Sequence, residues 1–142
     1  MSTRSASAVW EGNLKNGKGK MKFGSGAFEG QYSFSSRFEE GKGTNPEELI
    51  GAAHAGCFSM AFSHDLSEAG FTPTKVATTA KVHLAMAEGG FKIVSIELEC
   101  EADVPKIDEQ TFQKLGDDAK KGCPVSKALA GTDISLKAKL NK

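Results

Sequence analysis

"GTNPEELIGAAHAGCFSM", residues 43–60, governs how the chain is read, because it joins a helix start to a small-residue apolar run that carries a cysteine. Asn45 suits the cap, Pro46 the first helical position, and Glu48 falls three residues after the cap, where it can reach back. The pattern predicts a helix from Pro46 to about Ala69, ended by Gly70 and Pro73. His54 and Cys57 lie in its middle. Cys57 shares a stripe with Leu49, Ala53, Met60 and His64 at steps of three and four, which is the spacing of a packed core face. Filler, ligand and nucleophile all remain open readings for this sulfur.

Ahead of the helix the chain reads as strands. "SASAVWEG" is small and β-compatible, "GKGKMKFG" alternates Lys with Met21 and Phe23, and "AFEGQYSF" alternates around Phe28, Tyr32 and Phe34. Asn16-Gly17 supplies a turn, so a three-strand meander is expected. Residues 35–44, "SSRFEEGKGT", read as a polar loop. After the helix the period becomes two. Val76, Thr78, Ala80, Val82, Leu84 and Met86 share one face, and beyond "AEGG" Val94, Ile96, Leu98, Cys100, Ala102 and Val104 do the same, which predicts a hairpin with one wet face. Asp108 caps a helix that Gly122 stops, Cys123-Pro124 opens a short one, and Ile134 to Leu140 alternate as a last strand. The order βββ-α-ββ-α-α-β is that of an α+β fold, with antiparallel sheets and a long central helix in a single domain, residues 1–142.

Composition narrows the function. Eighteen basic residues balance eighteen acidic ones, with no Lys/Arg cluster long enough for a phosphate-binding stripe, so nucleic acid is not an expected partner. The N-terminus lacks an apolar segment of signal-peptide length, and the least polar run, Leu49 to Phe62, is 14 residues and contains a histidine. No membrane association is expected. Three cysteines, at spacings of 43 and 23, fit neither a secreted disulfide framework nor a paired zinc site and point to a cytoplasmic setting.

Those cysteines differ in setting. Cys100 lies in register with Leu98 and Ala102 and reads as a small core hydrophobe. Cys123, in "GCPVSK", falls where a helix begins and free backbone N–H groups favour a thiolate, although a plain cap is the alternative. His54 and Cys57 are three apart and could face one metal ion, but a catalytic zinc needs about three protein ligands and no further cluster accompanies them. Neither metal nor cofactor is expected.

"RFEEGKGTNPEELIGAAHAGCFSM" (37–60), "EAGFTPT" (68–74) and "AKKGCPVSKAL" (119–129), with "VWEGNLKNGKGK" near the start, together resemble the OsmC/Ohr family, and its OsmC branch more than its Ohr branch. The family comprises the osmotically inducible protein C and organic hydroperoxide resistance proteins, thiol-dependent peroxidases that act in oxidative and osmotic stress. The resemblance implies an OsmC-like α+β fold in an intertwined homodimer with active sites at the interface. It implies that Cys57 is the peroxidatic cysteine and Cys123 the resolving one, 66 residues apart. Arg37 would be the arginine beside the reactive sulfur and Glu47 the glutamate that holds it. The substrate would be an organic hydroperoxide, with hydrogen peroxide a poorer one, and the reductant a dithiol, lipoyl-type in relatives.

These roles agree with the chemistry of the residues. A cysteine of ordinary pKa is roughly 3% thiolate at pH 7, and apolar burial lowers that fraction. A guanidinium can hold a carboxylate on one edge and face sulfur with another. Glu47 and Cys57, ten residues apart, lie about 15 Å apart along one helix, so either Arg37 spans part of the gap from its loop or the two meet across a dimer interface, and a site at or close to a subunit boundary is expected. Ile50, Phe58, Met60 and Phe62 could line a pocket for an alkyl or aryl hydroperoxide; ordinary core packing is the alternative, and the favoured one for Met60. A redox-sensing or small-molecule-binding protein of the same fold, without efficient turnover, is the competing reading.

Overall fold

Lysines that alternate with small and aromatic residues give the first third of the chain its strands. A computed structural model of residues 1–142 arranges them as an antiparallel sheet in the order β1 (Ala6–Glu11), β2 (Lys18–Phe23) and β3 (Glu29–Tyr32). The expected meander is present. Its first turn closes through Asn13, whose Oδ1 accepts from the Asn16 amide and whose carbonyl accepts from the Gly17 amide, each at 2.8 Å. Trp10, Gly19 and Tyr32 are register partners across the sheet, and the two rings approach to 5.3 Å. A Cβ at Gly19 would fall 2.5 Å from Tyr32 and 2.6 Å from Trp10, so only glycine lets the aromatics close over the middle strand.

The chain divides into two compact units, Met1–Leu49 and Ile50–Lys142. In the first, the expected loop over residues 35–44 is corrected, because it contains a helix, α1 (Phe34–Phe38). Ser33 and Ser36 cap each other reciprocally: the Ser36 amide donates to Ser33 Oγ at 3.1 Å, and the Ser33 amide to Ser36 Oγ at 2.8 Å. The box uses serine where glutamate or glutamine is usual, and five residues are too few to show a helical period. Ser36 Oγ–H also donates to the Thr44 carbonyl at 2.8 Å, and Asn45 Nδ2 to the Ser36 carbonyl at 3.1 Å. Arg37 therefore rides on a pinned helical turn.

The long helix α2 (Pro46–Glu68) runs nearly as expected. Asn45 caps it by accepting from the Glu48 amide at 2.7 Å, but the Glu48 carboxylate takes the Thr44 hydroxyl at 2.8 Å rather than reaching back to the cap. At the other end Gly70, at φ 94°, directs its amide to Ser67 O and the Phe71 amide to Leu66 O, a Schellman closure. Within the second unit the buried stripe of α2 is His54, Phe58, Phe62 and Leu66. The anticipated core face is thus displaced: Met60 is 77% exposed, His64 is exposed and Cys57 half-buried. Small residues cover several sides of this helix, and the bulky phenylalanines decide which side is core.

The second sheet has the order β4-β5-β6, from β4 (Lys75–Ala87), β5 (Gly90–Asp103) and β6 (Asp133–Asn141). The β4–β5 hairpin is antiparallel as expected, whereas β5 and β6 are parallel, which corrects the expectation of wholly antiparallel sheets. Between them α3 (Glu109–Gly122) and α4 (Pro124–Ala128) return the chain to Ser95 of β5, which pairs with Asp133, the long crossover that a parallel pair requires. A bulge between His83 and Leu84 leaves Val94 outside the register. Beyond it the faces exchange, so Met86 and Val94 are exposed and Ile93 packs inward. Ile96, Leu98, Cys100 and Ala102 alternate onto the inner face and meet Phe58, Phe62 and Leu66 of α2 and Phe112 and Ala119 of α3. The α+β class and the structural role of Cys100 both hold. No helix is long and apolar enough to cross a membrane.

Candidate active site

Arg37 lies in α1 and Glu47 in the first turn of α2, both in the first unit. Arg37 Nε donates to Glu47 Oε1 at 2.8 Å and to Oε2 at 3.3 Å. The carboxylate side chain is 10% exposed and the guanidinium 35%, and the guanidinium carbon stands 5.3 Å from the Phe38 ring centroid. A pair this sheltered is worth more than a surface ion pair, and the carboxylate holds the arginine through one edge.

Cys57 and Cys123, both in the second unit, are free thiols whose sulfurs are 2.9 Å apart. That is too long for a disulfide bond and within reach of an S–H···S hydrogen bond. Cys57 is placed by the fourth turn of α2, and Cys123 by the junction of α3 and α4, where its amide donates to Ala119 O at 2.9 Å. Pro124 follows at the first position of α4, as its fixed φ favours. Burial pushes the Cys57 thiol up, and its hydrogen bond with Cys123 adds to the rise. Burial also opposes ionisation of Cys123, but hydrogen bonding from Cys57 and from Ser126, with the Val125 amide, brings this thiol below its ordinary value. Between them the two sulfurs hold one proton tightly and release the other readily.

His54 is fully buried, and its Nε2 is 2.8 Å from the Oγ of Ser126, three residues after Cys123. Its Nδ1 is buried with no hydrogen-bond partner, and burial holds the imidazole below its ordinary pKa. The sequence offers His54 only as a possible metal ligand beside Cys57, and it gives Ser126 no role. The signal available was weak: His54 is one turn before Cys57, and Ser126 is three residues after Cys123.

The residues considered for an apolar pocket separate. Phe58 and Phe62 are sealed in the core, with ring centroids 5.6 Å apart and Phe62 a further 5.2 Å from Phe112. Ile50 is half-buried at the edge of that core, and Met60 faces outward. Phe58 and Phe62 are therefore packing residues, and Ile50 and Met60 are the two with surface to offer a ligand.

Comparison with known proteins supplies the family. A family model described as OsmC-like protein matches residues 39–138, which include Glu47, Cys57 and Cys123 and begin just after Arg37. The chain is 56% identical to the peroxiredoxin OsmC of Escherichia coli (strain K12) over 123 residues, 86% of each chain. It is 36% identical over 98 residues to an organic hydroperoxide resistance protein of Xanthomonas axonopodis pv. citri, covering 68% of this chain and 67% of that one. Among solved structures, the organic hydroperoxide resistance protein OhrB of Bacillus subtilis superposes with a TM-score of 0.69 at 26% identity, over 96% of this chain and 98% of that one. On these grounds the chain belongs to the OsmC-like protein family, on its OsmC side.

Proposed function

We propose that residues 1–142 work as one thiol-dependent peroxidase domain that reduces organic hydroperoxides to alcohols, and hydrogen peroxide less well, in oxidative and osmotic stress defence. The observation that carries this reading is the pair of free sulfurs at 2.9 Å, Cys57 and Cys123, in a chain 56% identical to a peroxiredoxin. Cys57 thiolate attacks the O–O bond, and with one proton the products are an alcohol and Cys57 sulfenic acid. Cys123 then displaces the hydroxyl, forming the disulfide and releasing water once its own proton is counted. A dithiol, lipoyl-type by analogy with relatives, reduces the disulfide to two thiols and is itself oxidised.

Arg37 has the task of drawing negative charge to Cys57, which burial otherwise opposes. Its Nε is engaged by Glu47, which leaves the remaining donors of the guanidinium for sulfur or peroxide oxygen. Ile50 and Met60 supply apolar contact for the organic group, and Phe58 and Phe62 act behind them as packing. The protein works in the cytoplasm as a homodimer, in which either protomer can supply Arg37 and Glu47. Exposed Met60, Met86 and Phe91 are apolar surface available for such an interface.

Stopped-flow oxidation of the reduced protein by one equivalent of cumene hydroperoxide, with peptide mapping of the quenched product, tests the reading. A fast reaction that yields the Cys57–Cys123 disulfide supports it, and Cys123→Ser should halt at the sulfenic acid. Slow, unselective oxidation would return the chain to a sensing or binding role. Sedimentation at low micromolar concentration tests the dimer, and a monomer with full turnover would refute it.

A further inference from the structure

His54 is an unusual side chain to find sealed in this fold. It is fully buried, yet its only hydrogen bond is to Ser126 Oγ, at 2.8 Å, and its Nδ1 has no partner. A buried N–H without an acceptor is rarer and costlier than a buried acceptor without a donor. The neutral tautomer with the proton on Nε2 leaves only a lone pair unmatched, so Nε2–H donates to Ser126 Oγ. Burial keeps the ring neutral, so Nδ1 stays a lone pair instead of becoming a second, unmatched N–H. The Ser126 oxygen is then occupied as an acceptor, and its own proton is free to point elsewhere. Ser126 is itself buried, three residues along α4 from Cys123, and its hydroxyl is among the groups that favour the Cys123 thiolate.

We propose that His54 and Ser126 form a buried positioning pair for the resolving cysteine, in which His54 Nε2–H holds Ser126 Oγ so that its O–H is aimed at Cys123 Sγ. The proposal rests on the reading of Cys123 as the resolving thiol. The pair transfers no electrons and keeps its protons throughout. It keeps Cys123 ready as a thiolate, so that when Cys57 carries sulfenic acid the S–S bond forms, the S–O bond breaks, and the departing hydroxide takes up the proton that Cys123 gave to solvent. The titratable groups set against Cys123 are Cys57 directly and His54 through Ser126, both partners lying in the same unit.

Two measurements test this. In protein carrying Cys57→Ser, the thiolate absorbance of Cys123, taken against the same protein also lacking Cys123, gives its titration midpoint without any peroxide. Ser126→Ala and His54→Leu should raise that midpoint by about one pH unit, the worth of one charge-assisted hydrogen bond. His54→Gln, whose amide N–H can reach the same oxygen, should restore it. With both redox cysteines present, the disulfide step after cumene hydroperoxide should slow roughly fourfold below the midpoint, because a tenfold smaller thiolate fraction is partly offset by a more nucleophilic thiolate. An unshifted midpoint in Ser126→Ala would overturn the proposal, as would a His54→Gln variant no better than His54→Leu, which would mark the histidine as packing alone. Ser126→Ala removes a single oxygen and serves if His54→Leu does not fold. Failure of the unaltered protein to form the Cys57–Cys123 disulfide would refute the peroxidase reading, while the titration would still decide the positioning pair.

Discussion

Arg37 meets Glu47 through Nε, a donor that lysine lacks, and the contact to both carboxylate oxygens fixes the plane of the guanidinium. Arg37→Lys keeps the charge and loses that registration, so the rate constant for oxidation of Cys57 should fall by about 10 to 100 fold, the equivalent of roughly 1.5–3 kcal/mol of a charge-assisted hydrogen bond. Single-turnover kinetics with cumene hydroperoxide would measure it, and a loss below threefold would remove Arg37 from the proposed chemistry. Cys100 makes the opposite case. It is 2% exposed and burial pushes its thiol up, so it should stay reduced while Cys57 and Cys123 are oxidised, and should react with an aromatic disulfide reagent only after unfolding. The alternation of its strand was enough to read this. The Arg37–Glu47 contact was not legible in the same way, because a ten-residue spacing becomes a contact only once a five-residue helix and its serine caps place the arginine. His54 shows a further limit: an imidazole on a helix of small residues has no sequence mark of burial, and its partner Ser126 lies 72 residues away.

Elements were legible in proportion to the regularity of their side chains. The end of α2 could be read from Gly70, and the start of α3 from Asp108, whose carboxylate accepts from the Thr111 amide at 2.9 Å. The β4–β5 bulge could not, since it depends on one residue, Val94, being left unpaired by a partner strand. Two backbone positions carry tests. Lys106 has φ 72°, a left-handed conformation directly after Pro105, in the order of a type II turn whose third position favours glycine. Lys106→Gly should raise stability by about 0.5–1 kcal/mol, because relief of the left-handed penalty outweighs the added entropy of the unfolded chain. Gly56, within α2, has open space where a Cβ would stand. Gly56→Ala should add about 0.5–1 kcal/mol through helix propensity. Urea unfolding of both variants would check the sign, and a loss at Gly56→Ala would mean that something outside the single chain packs against that face.

At the scale of the molecule, the α+β class followed from where the hydrophobic period changed, while the parallel pairing of β5 and β6 did not. Alternation says which residues share a face and nothing about the direction of the neighbouring strand; the direction comes from how far α3 and α4 carry the chain before β6 begins. The interior this builds also sets a pH dependence. Burial lowers the His54 pKa below 6.5, so between its folded value and 6.5 the unfolded chain binds more protons than the folded one. Stability therefore rises with pH through that window and is lost as the solution is acidified below 6.5, above the region where the depressed carboxylates of Glu97, Asp108 and Asp117 begin to act in the same direction. One proton limits the slope to about 1.4 kcal/mol per pH unit. Urea midpoints measured at closely spaced pH values from neutral to mildly acid should fall for the unaltered protein and stay nearly level for His54→Gln, which fills the same space without a titrating ring. Equal slopes in the two proteins would mean that the imidazole takes up its proton in the folded state as easily as in water, and that the seal around His54 opens far more readily than its packing implies.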